Sequence, residues 1–213
     1  MSAFKPALAI VLLLGAGTAV VAEDGDRFVG RVVLEWVDRP GNAPPELRLR
    51  EHVGFQEFDD TAWFARRGEN VDGSSLPPAF RSMFGSPFTG RYRIASILHD
   101  FYADNQREPW KDVHRMFYKV SVRAGVDETE AKAMYMVLYA QGPRWEVARS
   151  RCYGSCHGGS EALVWRPVTR ESALRPIAEW IRQTNPTLDE IDRRAHAAIS
   201  RPGPHLFAQG REE

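Results

Sequence analysis

The pattern of apolar residues changes at residues 71–77, and this change limits the folds open to the chain. Before it, short runs rich in β-branched and aromatic residues end at turn-forming residues, as strands do. After it, apolar residues recur every three or four positions, which is the period of an amphipathic helix. Strands followed by helices indicate an α+β domain: a small N-terminal antiparallel sheet followed by a helical bundle.

The strands and helices are predicted from these periods and from the residues at their ends. Strands are expected over residues 28–37, 47–50, 55–58 and 62–65. Helices are expected from Pro77 to Gly85, over residues 91–105, 110–124, 127–141 and 173–183, and from Thr187 onward. Thr187 and Glu190 have the spacing of a capping box.

The first 22 residues are typical of a secretory signal. Lys5 is their only charged residue, an apolar run covers residues 7–21, and Val20 and Ala22 occupy the −3 and −1 positions of a cleavage site. A retained membrane anchor is the alternative, but the run is shorter than the ~20 residues of a spanning helix. We therefore expect an exported protein, periplasmic or secreted, with no stable membrane span after cleavage.

Charge and length restrict the partners and the domain organisation. The 28 basic and 28 acidic residues balance, which gives no support to a nucleic-acid partner. An unidentified component of the cell envelope is the expected partner. The chain after residue 22 is long enough for one domain, expected over residues 23–200, with residues 201–213 as a flexible tail.

Polar residues able to carry chemistry follow the change of pattern: Asp72, Ser75, His99, Asp100 and His114. Two histidines with a carboxylate are a normal zinc set, so His99, Asp100 and His114 are candidate ligands of zinc or another divalent metal. Asp72, Ser75, His99 and Asp100 are the candidate catalytic residues of a metal-assisted or acid–base hydrolase. Both histidines border the apolar face of their helices, so we expect them at its rim, where they can meet, with Asp100 at the edge of a cleft.

The same residues have a structural interpretation. Asp72 suits a turn in which it accepts backbone N–H groups, Ser75 suits a helix cap, and His99 and Asp100 suit a half-buried and a solvated position. Non-catalytic ligand binding is a third interpretation. A Ser75–His99–Asp72 triad lacks the Gly-x-Ser-x-Gly elbow. A metal phosphohydrolase needs an upstream histidine, and His52 falls among the predicted strands instead.

These motifs resemble a known family. Gly68, the turn at residues 72–77, the sequence His-Asp-Phe-Tyr at 99–102 and the sequence Arg-Met-Phe at 115–117 are similar to the bacterial and phage family catalogued as domain of unknown function 1353. The resemblance covers residues 60–140 or so. The chain departs from the pattern at Tyr102, which has a different register, and at His114, where the family carries Asp. The resemblance implies a fold and the location of a site. Because it implies no activity, a non-enzymatic interaction or assembly module is the preferred prediction.

Cys152 and Cys156 have three interpretations. In an exported protein a pair of cysteines most often forms a disulfide, which here closes a five-residue loop and contributes at most ~2 kcal/mol. Covalent c-type haem is a less favoured alternative, because its Cys-x-x-Cys-His motif has one residue fewer between the cysteines. The third is a metal held by both thiolates and His157.

Overall fold

A computed structural model describes residues 25–38, 41, 46–146 and 164–199. Within them, antiparallel strands are followed by helices, which confirms the predicted α+β class. The predicted signal segment, the predicted tail, Cys152 and Cys156 lie outside the described residues, and the single domain over residues 23–200 stays a prediction.

Five short strands come first: β1 (Arg27–Gly30), β2 (Leu34–Val37), β3 (Glu46–Leu49), β4 (Val53–Gln56) and β5 (Ala62–Ala65). Strand β4 lies between β1 and β5 in a three-stranded antiparallel sheet. Strands β2 and β3 form a separate antiparallel pair. Val53 and Phe55 of β4 and Ala65 of β5 are fully buried, so the middle strand and one edge strand both contribute to the core.

The single strand expected over residues 28–37 is wrong, because the chain breaks it after Gly30 into β1 and β2. Gly30 has φ +75°, a left-handed conformation that is costly for any residue with a side chain. A Cβ there would also clash with the carbonyl oxygen of His52. The chain therefore turns, and β2 pairs with β3 instead of extending the sheet.

Four helices follow the strands: α1 (Pro78–Phe84), α2 (Arg93–Asn105), α3 (Trp110–Arg123) and α4 (Glu128–Gln141). After α4 come the paired strands β6 (Arg144–Trp145) and β7 (Val164–Trp165), and then α5 (Glu171–Thr184) and α6 (Leu188–Ala198). Gly85 ends α1 as predicted. Thr187 and Glu190 form the predicted capping box of α6.

Helix α4 is the centre of the helical layer. Its residues 131–140 are all buried, because α1, α3, α5 and α6 pack around it. Helix α2 packs on α3 and on the sheet, where the Tyr102 hydroxyl accepts the Phe64 backbone N–H at 3.1 Å. No helix in the described part of the chain is long and apolar enough to cross a membrane.

Candidate functional site

The turn before α1 is held by its own residues. The Asp72 carboxylate accepts the backbone N–H of Ser74 at 2.7 Å, which is an Asx turn. Gly73 has φ +68°, and a Cβ there would lie 2.5 Å from Cγ of Pro87. Glycine therefore satisfies both the backbone conformation and the close approach of Pro87. Asp72 itself is exposed, with its carboxylate engaged by the turn.

Two consecutive residues of helix α2, His99 and Asp100, hydrogen-bond to the inner side of this turn. Asp100 accepts the Gly73 backbone N–H at 2.6 Å with one oxygen and the Ser75 hydroxyl with the other. The same Ser75 hydroxyl lies 2.8 Å from Nδ1 of His99. Ser75 therefore ties both α2 side chains to the loop that precedes α1.

A further hydrogen bond of this network links α2 to α3. Nε2 of His99 lies 2.9 Å from Nδ1 of His114, and the two rings stack with centroids 5.0 Å apart. Because Ser75 gives its one proton to Asp100, it accepts from His99 Nδ1, and His99 Nε2 then accepts from His114 Nδ1. This order leaves His114 Nε2 unprotonated. That buried atom makes no hydrogen bond of ordinary geometry within the described residues, and it lies near the Pro143 carbonyl and Gly142, just after α4.

Burial sets the charge of these groups. Burial, together with the positive charge of Arg166, lowers the pKa of His99 to about 3 and that of His114 well below 6.5. Burial also raises the pKa of Asp100 to about 6, against the opposing effect of the bonds from Ser75 and Gly73. At neutral pH the site therefore holds two neutral histidines and an ionised Asp100.

The expected rim positions are wrong. His99 and His114 have no exposed surface, Asp100 is 2% exposed and Ser75 is 4% exposed. The apolar period of a sequence identifies only the helix face that packs against apolar neighbours. It does not show which other faces of the helix the fold covers. Here α3 covers one side of α2 and the turn at residues 72–77 covers another. The predicted meeting of the two histidines does occur, whereas Asp72 lies outside the buried network.

The described residues contain no group of three or more His, Cys, Asp or Glu side chains placed to hold a metal ion. Both ring nitrogens of His99 face hydrogen-bond partners, and both oxygens of Asp100 accept bonds from the turn. A divalent ion bound by His99, Asp100 and His114 would have to displace Ser75 and break the bond between the histidines. The alternatives for Cys152, Cys156 and His157 fall outside the described residues and stay predictions.

A second polar cluster was not anticipated. Asp192 of α6 is 6% exposed and accepts the Tyr135 hydroxyl at 2.6 Å. Lys111 and Arg115 also pair with it, at 2.6 and 3.4 Å. The sequence held an indication of this cluster, because Asp192 lies four residues after Leu188 and three before Ala195, on the apolar face of α6.

Two further residues that were not singled out, Arg81 and Arg166, contact the outer side of the turn at residues 72–77.

The network can be compared with known families. Residues 47–138 match the model of a family described as a protein of unknown function, DUF1353. The match covers 92 of the 213 residues. It begins earlier than residue 60, so it includes β3 and β4, and it contains Asp72, Ser75, His99, Asp100 and His114. The segment that matches the DUF1353 model therefore contains the whole buried network, while α5 and α6 lie beyond the match.

Two relatives of this chain come from Sinorhizobium fredii (strain NBRC 101917 / NGR234), and both are called uncharacterized proteins. The protein y4iH is 33% identical over 63% of this chain and 60% of its own length. The protein y4jT is 32% identical over 65% of this chain and 40% of its own length. The chain thus spans about 60% and 40% of the lengths of these two relatives. No solved structure matches the chain significantly.

Proposed function

We propose that the protein is a non-enzymatic interaction or assembly module of the cell envelope. One observation carries this proposal: the polar side chains of Ser75, His99, Asp100 and His114 are buried and bonded to one another. A catalytic group must reach its substrate, usually in a concave site open to it. Here these side chains instead join the turn at residues 72–77 to helices α2 and α3. The outer side of that turn is exposed and can bind a partner.

The sequence supports the location in the envelope. Lys5, the apolar run at residues 7–21 and the small residues before Glu23 suit export and cleavage after Ala22. Expression of the full chain in a bacterial host and mass measurement of the periplasmic product tests this. A product starting at Glu23 is expected, and full-length protein retained in the cytoplasm would contradict export.

The experiment that separates a scaffold from an enzyme site compares His99→Ala with His196→Ala. His196 is an exposed histidine of α6, so its replacement is the matched control. We expect His99→Ala to lower the free energy of unfolding by about 2–4 kcal/mol, since it leaves a cavity and removes a partner from Ser75 and from His114. We expect His196→Ala to change it little.

Metal content is measured on the same proteins. Near-stoichiometric metal in the wild type that is lost in His99→Ala, with unchanged stability, would overturn the scaffold role. An equal and large loss of stability in both variants would show that the assay does not report on the network.

A metal-assisted or acid–base hydrolase using Asp72, His99, Asp100 and His114 is the second candidate. The observation in its favour is the buried Nε2 of His114, which has a lone pair and no partner within the described residues. The raised pKa of Asp100, about 6, also suits a general acid or base. Zinc titration followed by calorimetry tests it: binding that disappears in His114→Gln supports this candidate, and absence of binding contradicts its metal form.

A further inference from the structure

The outer side of the turn forms a wall of a pocket of about 370 Å³. It is lined by Ser74, Leu76, Pro78, Arg81 and Arg166. Arg81 comes from α1 and Arg166 follows β7, so two separate parts of the chain bring a guanidinium to the same place. The buried network lies on the opposite side of the turn.

Backbone carbonyls position both guanidinium groups. Nη2 of Arg81 donates to the Gly73 carbonyl at 2.9 Å. Arg166 donates to the carbonyls of Ser74 and Ser75 at 3.0 and 3.3 Å. These three carbonyls are consecutive, and the turn that carries them is fixed by Asp100 from the inside. The arginines are therefore held in place before any ligand arrives.

The two charges lack a counter-ion in the part of the chain that the structure describes. Arg48, Arg115 and Arg175 all pair with carboxylates there, whereas neither Arg81 nor Arg166 does. Asp72 is the carboxylate nearest to Arg81 along the chain, and it accepts the Ser74 backbone N–H. A guanidinium has five N–H donors, and these carbonyls use one on Arg81 and two on Arg166.

We propose that this pocket binds an anionic group, a carboxylate or a phosphate, of the envelope component that the protein recognises. Paired guanidinium groups with free donors match the planar or tetrahedral oxygens of such groups. The Ser74 hydroxyl adds a donor, and Leu76 and Pro78 form an apolar wall for the carbon skeleton next to the anion. This inference rests on the proposed binding function and names the chemistry of the partner.

Calorimetric titration of the whole exported protein with inorganic phosphate and with acetate tests the site. The variants are Arg81→Gln and Arg166→Gln, and Arg93→Gln, an exposed arginine of α2, is the control with the same change of charge. We expect phosphate or acetate to bind the wild type and the Arg93→Gln variant equally. We expect a roughly tenfold or greater loss of affinity in each of the other two variants, with unchanged thermal unfolding.

Vesicles and a peptide distinguish the two sources of the anion. Binding to phosphatidylglycerol vesicles but not to phosphatidylcholine vesicles, lost in Arg166→Gln, identifies a lipid phosphate. Binding to a short peptide with a free carboxyl terminus, but not to its amide, identifies a carboxylate. Either result supports the site.

Three results would overturn the site: no anion binding by the wild type, equal affinity in all four proteins, or an equal loss in Arg93→Gln. Failure of the proposed function is recognised separately. Hydrolysis of a bound phosphate monoester would support the anion site and contradict the non-enzymatic function. Envelope association that persists in both pocket variants would contradict the anion site and remain compatible with the interaction module.

Discussion

Nε2 of His99 and Nδ1 of His114 are 2.9 Å apart in the fully buried contact between α2 and α3. This bond is the link through which the turn at residues 72–77 is joined to two helices rather than one. On its outer side the same turn presents backbone carbonyls to Arg81 and Arg166. The buried network and the surface pocket therefore share this turn.

Ser75→Ala is expected to lower the free energy of unfolding by about 1–3 kcal/mol. The change leaves an oxygen of Asp100 without a donor and Nδ1 of His99 without a partner in a buried site. Ser74→Ala is the matched control, because its side chain is exposed, and it should change stability by less than about 0.5 kcal/mol. Urea unfolding measures both, and equal values for the two variants would contradict the network's role.

Stability is expected to fall on acidification. His99 and His114 take up protons in the unfolded chain below their ordinary pKa of 6.5, and the folded chain excludes these protons. Asp100 acts in the opposite direction, because its pKa of about 6 lets the folded chain hold a proton that the unfolded chain releases above 3.8. The two histidines bind more protons in the unfolded chain than Asp100 binds in the folded chain. The free energy of unfolding should therefore fall by about 1.4 kcal/mol per pH unit between pH 6 and 5.

The same titration in His114→Gln isolates the histidine contribution. The slope of the free energy of unfolding against pH should decrease by about 1.4 kcal/mol per pH unit relative to the wild type. A wild-type slope retained in His114→Gln would show that His114 is protonated in the folded protein.

Comparing Gly73→Ala with Gly68→Ala separates two causes of lost stability: the steric contact with Pro87 and the positive φ. Both glycines have a positive φ, +68° and +93°, which costs a non-glycine residue about 1–2 kcal/mol. Only at Gly73 does an added Cβ meet a neighbour, Cγ of Pro87 at 2.5 Å, whereas nothing lies within 4 Å at Gly68. We expect Gly73→Ala to cost more by about 1–3 kcal/mol in denaturant unfolding. Equal costs would mean that Pro87 moves aside freely.

Asp192→Asn tests whether the buried ion pairs of Asp192 hold α6 against α3 and α4. The change removes the charge that accepts from Tyr135 and pairs with Lys111, so it should lower the free energy of unfolding by about 1–3 kcal/mol. Asp189→Asn removes a carboxylate that is 71% exposed, and its cost should stay below about 0.5 kcal/mol. If Asp189→Asn proved the more costly change in thermal or urea unfolding, the buried pairing would not be what holds α6.

Local signals in the sequence were enough to place most elements. The Thr187–Glu190 capping box, the stop at Gly85 and the three- to four-residue apolar period depend on residues close in the chain, and each was predicted. The break at Gly30 was missed, because it depends on the carbonyl of His52, which lies just before β4 and is remote in the sequence.

For the candidate site, the sequence alone indicated most of the residues that come together and a resemblance to one family. It pointed to the turn at residues 72–77 and to a meeting of His99 with His114, since turn chemistry and helical period are local properties. Only the tertiary structure decided that these groups are buried and that Asp72 stands apart. Burial depends on what packs against both sides of α2, and that is a property of the assembled chain. The same reason explains why Arg166, far along the sequence, was not anticipated at the pocket.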